Sequence, residues 1–417
     1  MALFRLFSQS RSIFAIGVRV SALLNVLLIV MGLSACGGSS SSNEPAYVTA
    51  SRAQINQLLG TTLTPGAVVY VQSPQGNWLE SFGTAQRRTN TPIPVNAYFR
   101  VGSVTKTWTG TVILQLVQEG KLNLSDPVSK FVPNVPNGDT ITIQQLLAMR
   151  SGLYNYSRDL GFNQTLDAQP GKVWTTAELL AIAFSHPVDF DPDTSFGYSN
   201  TNTVLLGMII EQLTGMSAAD AIQTRLFAPL GLTGTYLPAQ TDSSLPAPSP
   251  HSYLWGTNAE TATNSALSPA RQAAAKDGTL QPTDVTNANP SWGWTAGSGI
   301  STIKELAAFV QRMVGGGYLN ADLQSKRLST CTALVPSDPD SPGYCLGIAK
   351  FGTFYGHNGQ INGFNTFMVY DPGSNTTVVT WATTADTPDG RGPADAMARI
   401  ITTELGKAVE VVDEDQP

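Results

Sequence analysis

Apolar runs that predict β-hairpins lie near both ends of the chain. Near the beginning, residues 67–71 and 78–82 are rich in Val, Tyr, Trp and Phe and are separated by a turn containing Pro and Gly. Near the end, residues 364–370 and 376–381 repeat this arrangement around another Pro- and Gly-containing turn. Runs of β-branched and aromatic residues bounded by such turns are typical of paired strands. We therefore predict one hairpin from each end of the chain.

Helical periodicity accompanies these hairpins. Apolar residues recur at helical spacing over 49–59 and over 394–405, which predicts an amphipathic helix near each end. Between them, residues 140–235 alternate helical patterns with loops. The stretch 239–283 is rich in Pro, Ser, Thr and Ala and predicts a long irregular segment. Helices placed between two sets of strands are typical of an α+β fold.

The first 35 residues carry the pattern of an export signal. Arg5, Arg11 and Arg19 form a basic leader, and the apolar stretch 21–31 overlaps its end. This stretch has the length of a signal-peptide core and is too short to span a bilayer. We therefore predict a signal peptide over residues 1–35.

A lipoprotein motif follows the apolar stretch. Leu33-Ser34-Ala35-Cys36 matches a bacterial lipobox, so Cys36 is the predicted lipidation site. Gly and Ser dominate the next positions and predict a flexible tether over 36–45. Two or more acyl chains would anchor the protein at a bacterial membrane, facing the periplasm or the cell exterior. The alternative is an ordinary signal peptide that merely ends near a cysteine.

Charge and composition limit the partners. Residues 1–35 hold three arginines and no acidic residue, so their removal changes the formal net charge from −6 to −9. Because no basic stripe is present, we expect no nucleic-acid partner. The chain has three histidines and neither a His-Glu-x-x-His nor a Cys-x-x-Cys motif, so we expect no metal site and no cofactor. Residues 406–417 form an acidic tail.

Two cysteines remain after the lipobox. Cys331 and Cys345 close a loop of about 15 residues, in which a disulfide would add about 3 kcal/mol of stability. An exported protein meets the oxidising conditions that such a bond needs. Two buried thiols are the alternative interpretation.

A Ser-x-x-Lys motif at Ser103 and Lys106 points to nucleophilic chemistry. Residues 97–101 predict a short strand, Gly102 permits a tight turn, and an apolar-periodic helix then runs until Gly120. Ser103 is therefore placed at a helix N-terminus, where free backbone N–H groups stabilise a developing negative charge. Lys106 lies one helical turn later on the same face. The alternative is an ordinary helix start with a solvated lysine.

A second Ser-x-x-Lys, at Ser301 and Lys304, predicts a structural role instead. Ser301 follows a glycine-rich run and opens a predicted helix, where Thr302 and Glu305 fit a capping box. A second Tyr-x-Asn begins at Tyr318 in a loop that ends this helix. The two repeats lie too close together in sequence to form opposite walls of one cleft.

Ser103-x-x-Lys106 is followed in the chain by Tyr198-x-Asn200 and His357-x-Gly359, and together these motifs describe an acylating serine site. The chain resembles the serine β-lactamase and D-alanyl-D-alanine carboxypeptidase superfamily, in the branch with Tyr-x-Asn and His-x-Gly motifs. The resemblance covers roughly residues 46–405 and extends to three further segments, Gly120 to Val128, Leu146 to Leu153 and Ala296 to Gly299. It implies an antiparallel sheet with flanking helices, built from both chain ends, with a helical region inserted at about 121–295.

The resemblance and the chemistry of serine imply an acyl-enzyme mechanism. Ser103 would be the nucleophile, and Lys106, made transiently neutral by burial and nearby donors, would accept its proton. Tyr198 would share the proton relay and protonate the leaving group. Asn200 would position substrate and lysine without titrating. The alternative for Tyr198 and Asn200 is a structural turn.

The third motif would form the opposite wall of the cleft. His357 would complete the electrostatics of this wall, and its alternative is a strand-end histidine with internal partners. Gly359 would let substrate approach the strand backbone. Backbone N–H groups of Ser103 and, by family analogy, Gln360 would hold the oxyanion. Asn358 stands where the branch often has a hydroxyl residue.

The same motif bears on the substrate. His357 favours the peptidase or esterase side of the superfamily, because β-lactamases often carry lysine at that position. The only cations in 346–370 are Lys350 and His357, so a group that would bind a substrate carboxylate is not evident, and Lys350 and Arg150 are the candidates. We therefore expect ester or thioester substrates to be hydrolysed at least as well as D-Ala-D-Ala peptides.

We expect a D-alanyl-D-alanine carboxypeptidase that acts on peptidoglycan-type peptides and binds β-lactams. An esterase, an amidase or a β-lactamase of the same fold is the first alternative. A penicillin-binding sensor that is acylated without turnover is the second.

Overall fold

The computed structural model describes residues 44–262, 265–334, 341–361 and 363–409. The predicted signal peptide 1–35, the predicted lipidation site Cys36 and most of the tether lie outside these residues, as does most of the acidic tail. In the part of the chain that is described, every helix is too short or too polar to cross a membrane.

Strands come mainly from the two ends of the chain. In chain order they are β1 Gly66–Gln72, β2 Trp78–Gly83, β3 Tyr98–Arg100, β4 Tyr253–Leu254, β5 Thr283–Asp284, β6 Ile300–Thr302, β7 Thr332–Ala333, β8 Gly343–Tyr344, β9 Ala349–Phe351, β10 Phe354–Ile361, β11 Phe364–Asp371 and β12 Thr376–Ala382.

Helices occupy both ends and most of the middle of the chain. They are α1 Ala46–Thr62, α2 Thr105–Gln118, α3 Ile143–Leu147, α4 Leu160–Ala168, α5 Thr176–Ser185, α6 Asn200–Thr214, α7 Ala218–Ile222, α8 Asn258–Thr261, α9 Pro269–Lys276, α10 Trp294–Gly297, α11 Ile303–Val314, α12 Ala321–Ser329 and α13 Pro393–Glu404.

One antiparallel sheet joins the two ends of the chain. Its eight strands have the order β2-β1-β12-β11-β10-β9-β8-β7. The first hairpin meets the last where β1 pairs with β12, with Val69 opposite Thr380. The predicted α+β fold, an antiparallel sheet with flanking helices and an inserted helical region, is confirmed.

The sheet separates two apolar cores. Successive side chains of a strand point to opposite faces, so on β1 Val68 packs into the core that contains α2 and α11, whereas Val69 packs into the core that contains α1 and α13. Because β1 is buried on both faces, its sequence is a nearly continuous apolar run rather than an alternating one.

Helix α2 lies inside the molecule. Ten consecutive residues, Thr105 to Leu114, are buried, because α6 and α10 pack against this helix. A small sheet of β3 and β6 delivers the chain to its start, with Arg100 opposite Ile300. A helix enclosed in this way holds its first turn in a fixed position relative to the main sheet.

Two local predictions meet different outcomes. Cys331 and Cys345 form a disulfide, with the two sulfurs 1.94 Å apart. The predicted capping box at Thr302 and Glu305 is wrong, because Thr302 makes no side-chain capping bond. The Glu305 carboxylate instead accepts hydrogen bonds from the Gly234 N–H and the Thr235 hydroxyl.

Candidate active site

Ser103 lies on a 3₁₀ turn, Gly102–Val104, that joins β3 to α2. Gly102 has φ 55°, a left-handed conformation that favours glycine. The predicted strand, turn and helix are therefore present, and the helix begins with a 3₁₀ turn. This turn packs against β10.

Lys106 is hydrogen-bonded to Ser103. Its Nζ lies 2.8 Å from Ser103 Oγ and 2.8 Å from the Ala296 carbonyl oxygen. The lysine side chain is only 1 % exposed. The alternative interpretation, a solvated lysine, is therefore wrong. The distance between Nζ and Oγ permits direct proton transfer.

Tyr198 of the second predicted motif lies beside Lys106. Lys106 Nζ lies 4.7 Å from the centroid of the Tyr198 ring. Asn200 begins α6, and its amide donates to Ser157 Oγ at 2.9 Å while its backbone N–H donates to Asn155 Oδ1 at 3.2 Å. Sequence reasoning missed Asn155 and Ser157, since no motif connects them to Asn200.

His357 is fully buried on β10 beside Tyr344. Its Nδ1 lies 2.6 Å from the Asn358 carbonyl oxygen, which can only accept, so Nδ1 carries the proton. Nε2 of a neutral ring then accepts from the Tyr344 hydroxyl at 3.0 Å. The Tyr344 ring also makes an edge contact with Tyr198 at 6.1 Å. Sequence reasoning missed Tyr344. The only local feature that marks this residue is its position directly before the disulfide-bonded Cys345.

The environment keeps His357 neutral. Burial lowers the pKa of His357 to about 3, and the nearby charge of Lys106 acts in the same direction. The ring is therefore uncharged near neutral pH, and His357 cannot serve as the cation of a carboxylate site.

Gly359 and Gln360 bring the backbone of β10 against the turn that carries Ser103. A Cβ on Gly359 would lie 2.3 Å from the Val101 carbonyl oxygen and 2.8 Å from the Ser103 nitrogen. A Cβ on Gly102 would lie 2.5 Å from the Gln360 nitrogen. The backbone nitrogens of Ser103 and Gln360 are thus neighbours, as an oxyanion hole requires.

The side chain of Gln360 is held by a carboxylate that sequence reasoning missed. Its Nε2 donates to Asp386 Oδ1 at 2.6 Å and to the Ala385 carbonyl oxygen at 3.3 Å. Asp386 lies beyond the end of β12, 26 residues from Gln360. Only the tertiary structure places this carboxylate at the site.

Two cavities meet at Ser103 and Gln360, which line both. The larger has a volume of about 700 Å³ and includes Asn155, Asn200 and Asp386 in its lining. The smaller, of about 440 Å³, is lined by Tyr198, Asn358 and Gly359 of the predicted motifs and by Arg391, Asp395 and Arg399 near or on α13. We call them the acidic cavity and the arginine cavity.

The cations near the site differ from those the sequence suggested. Lys350 and Arg150 are absent from the described lining of both cavities, and Arg150 pairs with Asp193 at 2.6 Å. Arg391 and Arg399 take their place, and Arg391 also pairs with Asp389 at 2.6 Å. Arg391 lies just before α13 and Arg399 lies on this helix, so neither belongs to the third motif.

The repeated motif at Ser301 lies elsewhere. Ser301 is on β6, and its Oγ lies 2.8 Å from Thr235 Oγ1. It is absent from the described lining of both cavities. Within the described ranges, no group of three or more His, Cys, Asp and Glu side chains is arranged to hold a metal ion.

The chain is similar to known proteins. The model of the Beta-lactamase protein family matches residues 52–402. Penicillin-binding protein 4* of Bacillus subtilis (strain 168) is 32% identical over 173 residues, which are 41% of this chain and 37% of that protein. Penicillin-binding protein 4 of Amycolatopsis lactamdurans is 35% identical over 155 residues, which are 36% of this chain and 39% of that protein. The chain thus matches well under half the length of each of these relatives.

A solved structure matches over nearly its whole length. The D-stereospecific amidohydrolase from Streptomyces sp. is similar with a TM-score of 0.70 and 29% sequence identity. The similarity covers 85% of this chain and 99% of that one.

Proposed function

Because the chain belongs to the Beta-lactamase family of serine hydrolases, we propose that it hydrolyses the terminal amide bond of peptides with a free C-terminal carboxylate, as a D-alanyl-D-alanine carboxypeptidase. The observation that carries this proposal is the 2.8 Å contact between Lys106 Nζ and Ser103 Oγ at the junction of two cavities. β-Lactams are proposed as ligands of the same serine.

Acylation follows from the positions of four groups. Lys106, when neutral, takes the Ser103 proton as Oγ attacks the scissile carbonyl. The new oxyanion lies between the backbone N–H groups of Ser103 and Gln360, which need no rearrangement to donate. Tyr198, beside Lys106 Nζ, then protonates the leaving nitrogen, and the C–N bond breaks.

Deacylation uses the same groups in reverse. A water molecule adds to the acyl carbonyl and gives its proton to the Lys106 and Tyr198 pair. The ester bond then breaks, the acid departs, and the proton returns to Ser103 Oγ. Neutral His357 is held by Tyr344 and Asn358. Its ring packs beside the Tyr198 ring and does not exchange protons.

The arginine cavity supports the carboxylate part of the proposal. Tyr198 lines this cavity and is absent from the described lining of the acidic cavity, so the leaving group that it protonates departs on this side. Arg391 and Arg399 lie there together with Asp395, and Arg391 is paired with Asp389. Arginine binds carboxylates through charge-assisted hydrogen bonds about twice as strong as neutral ones.

A second candidate is an amidase or esterase without a carboxylate requirement. The similarity to a D-stereospecific amidohydrolase over 85% of this chain favours it. A penicillin-binding sensor would differ from both enzymes in its kinetics, because it would show one burst of acylation and then stall.

Localisation is part of the proposal. The lipobox at Cys36 supports export and lipid anchoring at a bacterial membrane. Peptidoglycan peptides are accessible to a hydrolase in that position.

Mass spectrometry and kinetics test the function together. We expect a penicillin adduct on the peptide containing Ser103, its loss in Ser103→Ala and its retention in Ser301→Ala. Amidation of the C-terminus of a D-Ala-D-Ala peptide should lower kcat/KM about 100-fold. In Arg399→Gln this difference should fall to about tenfold, while Arg225→Gln, a change outside both cavities, should preserve it.

Each alternative gives another result. An adduct on Ser301 would contradict the site. Equal kcat/KM for the free and the amidated peptide would favour the amidase or esterase.

A further inference from the structure

We propose that Asn155 determines which acyl groups the site accepts, because its side-chain Nδ2 donates a hydrogen bond to a carbonyl oxygen on the acyl part of the substrate. The inference rests on the proposed function, because it needs acylation of Ser103. It extends that function by naming a specificity-determining residue outside the three motifs and the chemical group that this residue binds.

Backbone groups fix the orientation of the Asn155 amide. Its Oδ1 lies 3.2 Å from the backbone nitrogen of Asn200, the first residue of α6, and 3.3 Å from the backbone nitrogen of Ser157. A backbone N–H can only donate, so the atom that faces both groups is the oxygen and not the nitrogen. The Ser157 hydroxyl also donates to Oδ1, at 2.9 Å. Nδ2 is therefore on the opposite side of the amide from these donors.

Nδ2 of Asn155 is a donor that the described chain does not use. It forms no hydrogen bond with any described residue. Asn155 is only 2 % exposed, and it lines the acidic cavity together with Ser103 and Asn200. Buried polar groups are nearly always hydrogen-bonded, because an unpaired donor is costly. The acceptor therefore comes from the molecule that occupies this cavity.

The neighbouring amide of Asn200 is already engaged. Its Nδ2 donates to Ser157 Oγ at 2.9 Å, and the same hydroxyl donates onward to Asn155 Oδ1. Hydrogen bonds in such a chain polarise one another. The three bonds that Asn155 Oδ1 accepts thus strengthen Nδ2 of the same amide as a donor.

The position of Tyr198 assigns this contact to the acyl part of the substrate. Tyr198, which protonates the leaving group, lines the arginine cavity and is absent from the described lining of the acidic cavity. Ser103 lines both cavities, so the acyl group on its Oγ extends into the acidic cavity, where Asn155 lies. A peptide substrate presents an amide carbonyl oxygen on this side, one residue before the scissile bond.

The unpaired donor sets the size of the effect. A site built to hydrogen-bond a substrate group rejects an analogue without that group, because the polar atom of the protein then stays unpaired. We expect an acyl group with the carbonyl oxygen to be preferred about tenfold in kcat/KM, which corresponds to about 1.4 kcal/mol.

Two thioesters that differ at one carbon atom test this inference. Levulinoyl has a ketone where pentanoyl has a methylene group, and its oxygen occupies the position of the amide carbonyl in a peptide. Both are used as thioesters of mercaptoacetate, so that the leaving group carries the carboxylate of the proposed function. Release of the thiol gives kcat/KM, and the wild type should favour levulinoyl about tenfold.

Asn155→Asp removes the donor and keeps the internal contacts. Its carboxylate still accepts from the backbone N–H groups of Asn200 and Ser157, but a second acceptor replaces Nδ2. The ratio of levulinoyl to pentanoyl should fall to about one or below. Because the added charge acts on both uncharged acyl chains alike, this ratio reports the lost donor. Asn155→Ala also lacks the donor and should give a ratio of about one.

Asn287→Asp is the matched control, since it makes the same chemical change at an exposed residue of the same cavity lining. It should keep the preference for levulinoyl. Equal kcat/KM for the two thioesters in the wild type would overturn the inference without any variant. Retention of the preference in both Asn155 variants, or its equal loss in Asn287→Asp, would also overturn it. Absence of thioester hydrolysis and of any penicillin adduct on Ser103 would instead overturn the proposed function, so the two failures are distinguishable.

Discussion

Single residues at this site owe their chemistry to burial. Lys106 is almost entirely enclosed between Ser103, Ala296 and the ring of Tyr198. His357 is enclosed as completely and is neutral, whereas histidine in water is half protonated near pH 6.5. On a surface, a lysine would be solvated and a histidine would titrate near pH 6.5.

The buried histidine makes stability depend on pH. The pKa of His357 is about 3 in the folded protein and near 6.5 in the unfolded chain. Between these values the unfolded state binds the extra proton, so stability falls as pH decreases below 6.5 and this loss ends near pH 3. We expect the free energy of unfolding of the wild type to fall by about 2 kcal/mol more than that of His357→Gln between pH 7.5 and 5.

Urea unfolding at the two pH values measures this difference. Glutamine keeps a donor and an acceptor for Asn358 and Tyr344 but does not titrate. An identical pH dependence in both proteins would contradict the buried neutral state. NMR titration of the ring provides a direct second measurement, in which His357 should stay neutral at pH 5.

At the scale of elements, the site depends on close approach of two backbones. The turn that carries Ser103 packs directly on β10, and only glycine fits at position 359. A methyl group there would meet backbone atoms of Val101 and Ser103, which cannot move aside as a flexible side chain can. The strand and the turn would have to separate.

Gly359→Ala should therefore lower the rate of Ser103 acylation at least about 100-fold, because a displacement of about 1 Å of reacting groups has an effect of that size. Circular dichroism should show a folded protein. Gly171→Ala is the control, since a Cβ at Gly171 meets nothing within 4 Å. Normal acylation in Gly359→Ala would show that this contact does not set the geometry.

At the scale of the whole molecule, the two ends of the chain build one site. β1 and β12 are neighbours in the sheet, and α13 carries Arg399 to the arginine cavity. The middle of the chain contributes Asn155 and Asn200 to the lining of the acidic cavity. Truncation at either end would therefore remove part of the sheet that supports the site.

Anchoring also concerns the whole molecule. If Cys36 carries the lipid, Cys36→Ala should release the protein from the membrane fraction or block its processing, because the thioether has no other attachment point. Cell fractionation with immunoblotting measures this, and Cys331→Ala with Cys345→Ala serves as the control for cysteine loss. Normal maturation and membrane retention of Cys36→Ala would contradict the lipobox.

The sequence by itself determined the features that depend on local pattern. Apolar runs located the hairpins, helical periodicity located α1 and α13, and Gly102 permitted the turn that carries Ser103. These predictions succeeded because strand alternation, helical spacing and the conformational freedom of glycine act over a few residues. The three spaced motifs also predicted which side chains would meet.

The tertiary structure decided whatever depends on distant partners. Glu305 bonds to residues 234–235 instead of capping its own helix, and burial keeps His357 neutral. Arg399, rather than Lys350 or Arg150, lines the cavity beside Tyr198. Asp386 reaches Gln360 because the chain that follows β12 passes beside the end of β10. Burial, hydrogen-bond competition and cavity charge are sums over all neighbours in space, and a linear pattern does not contain them.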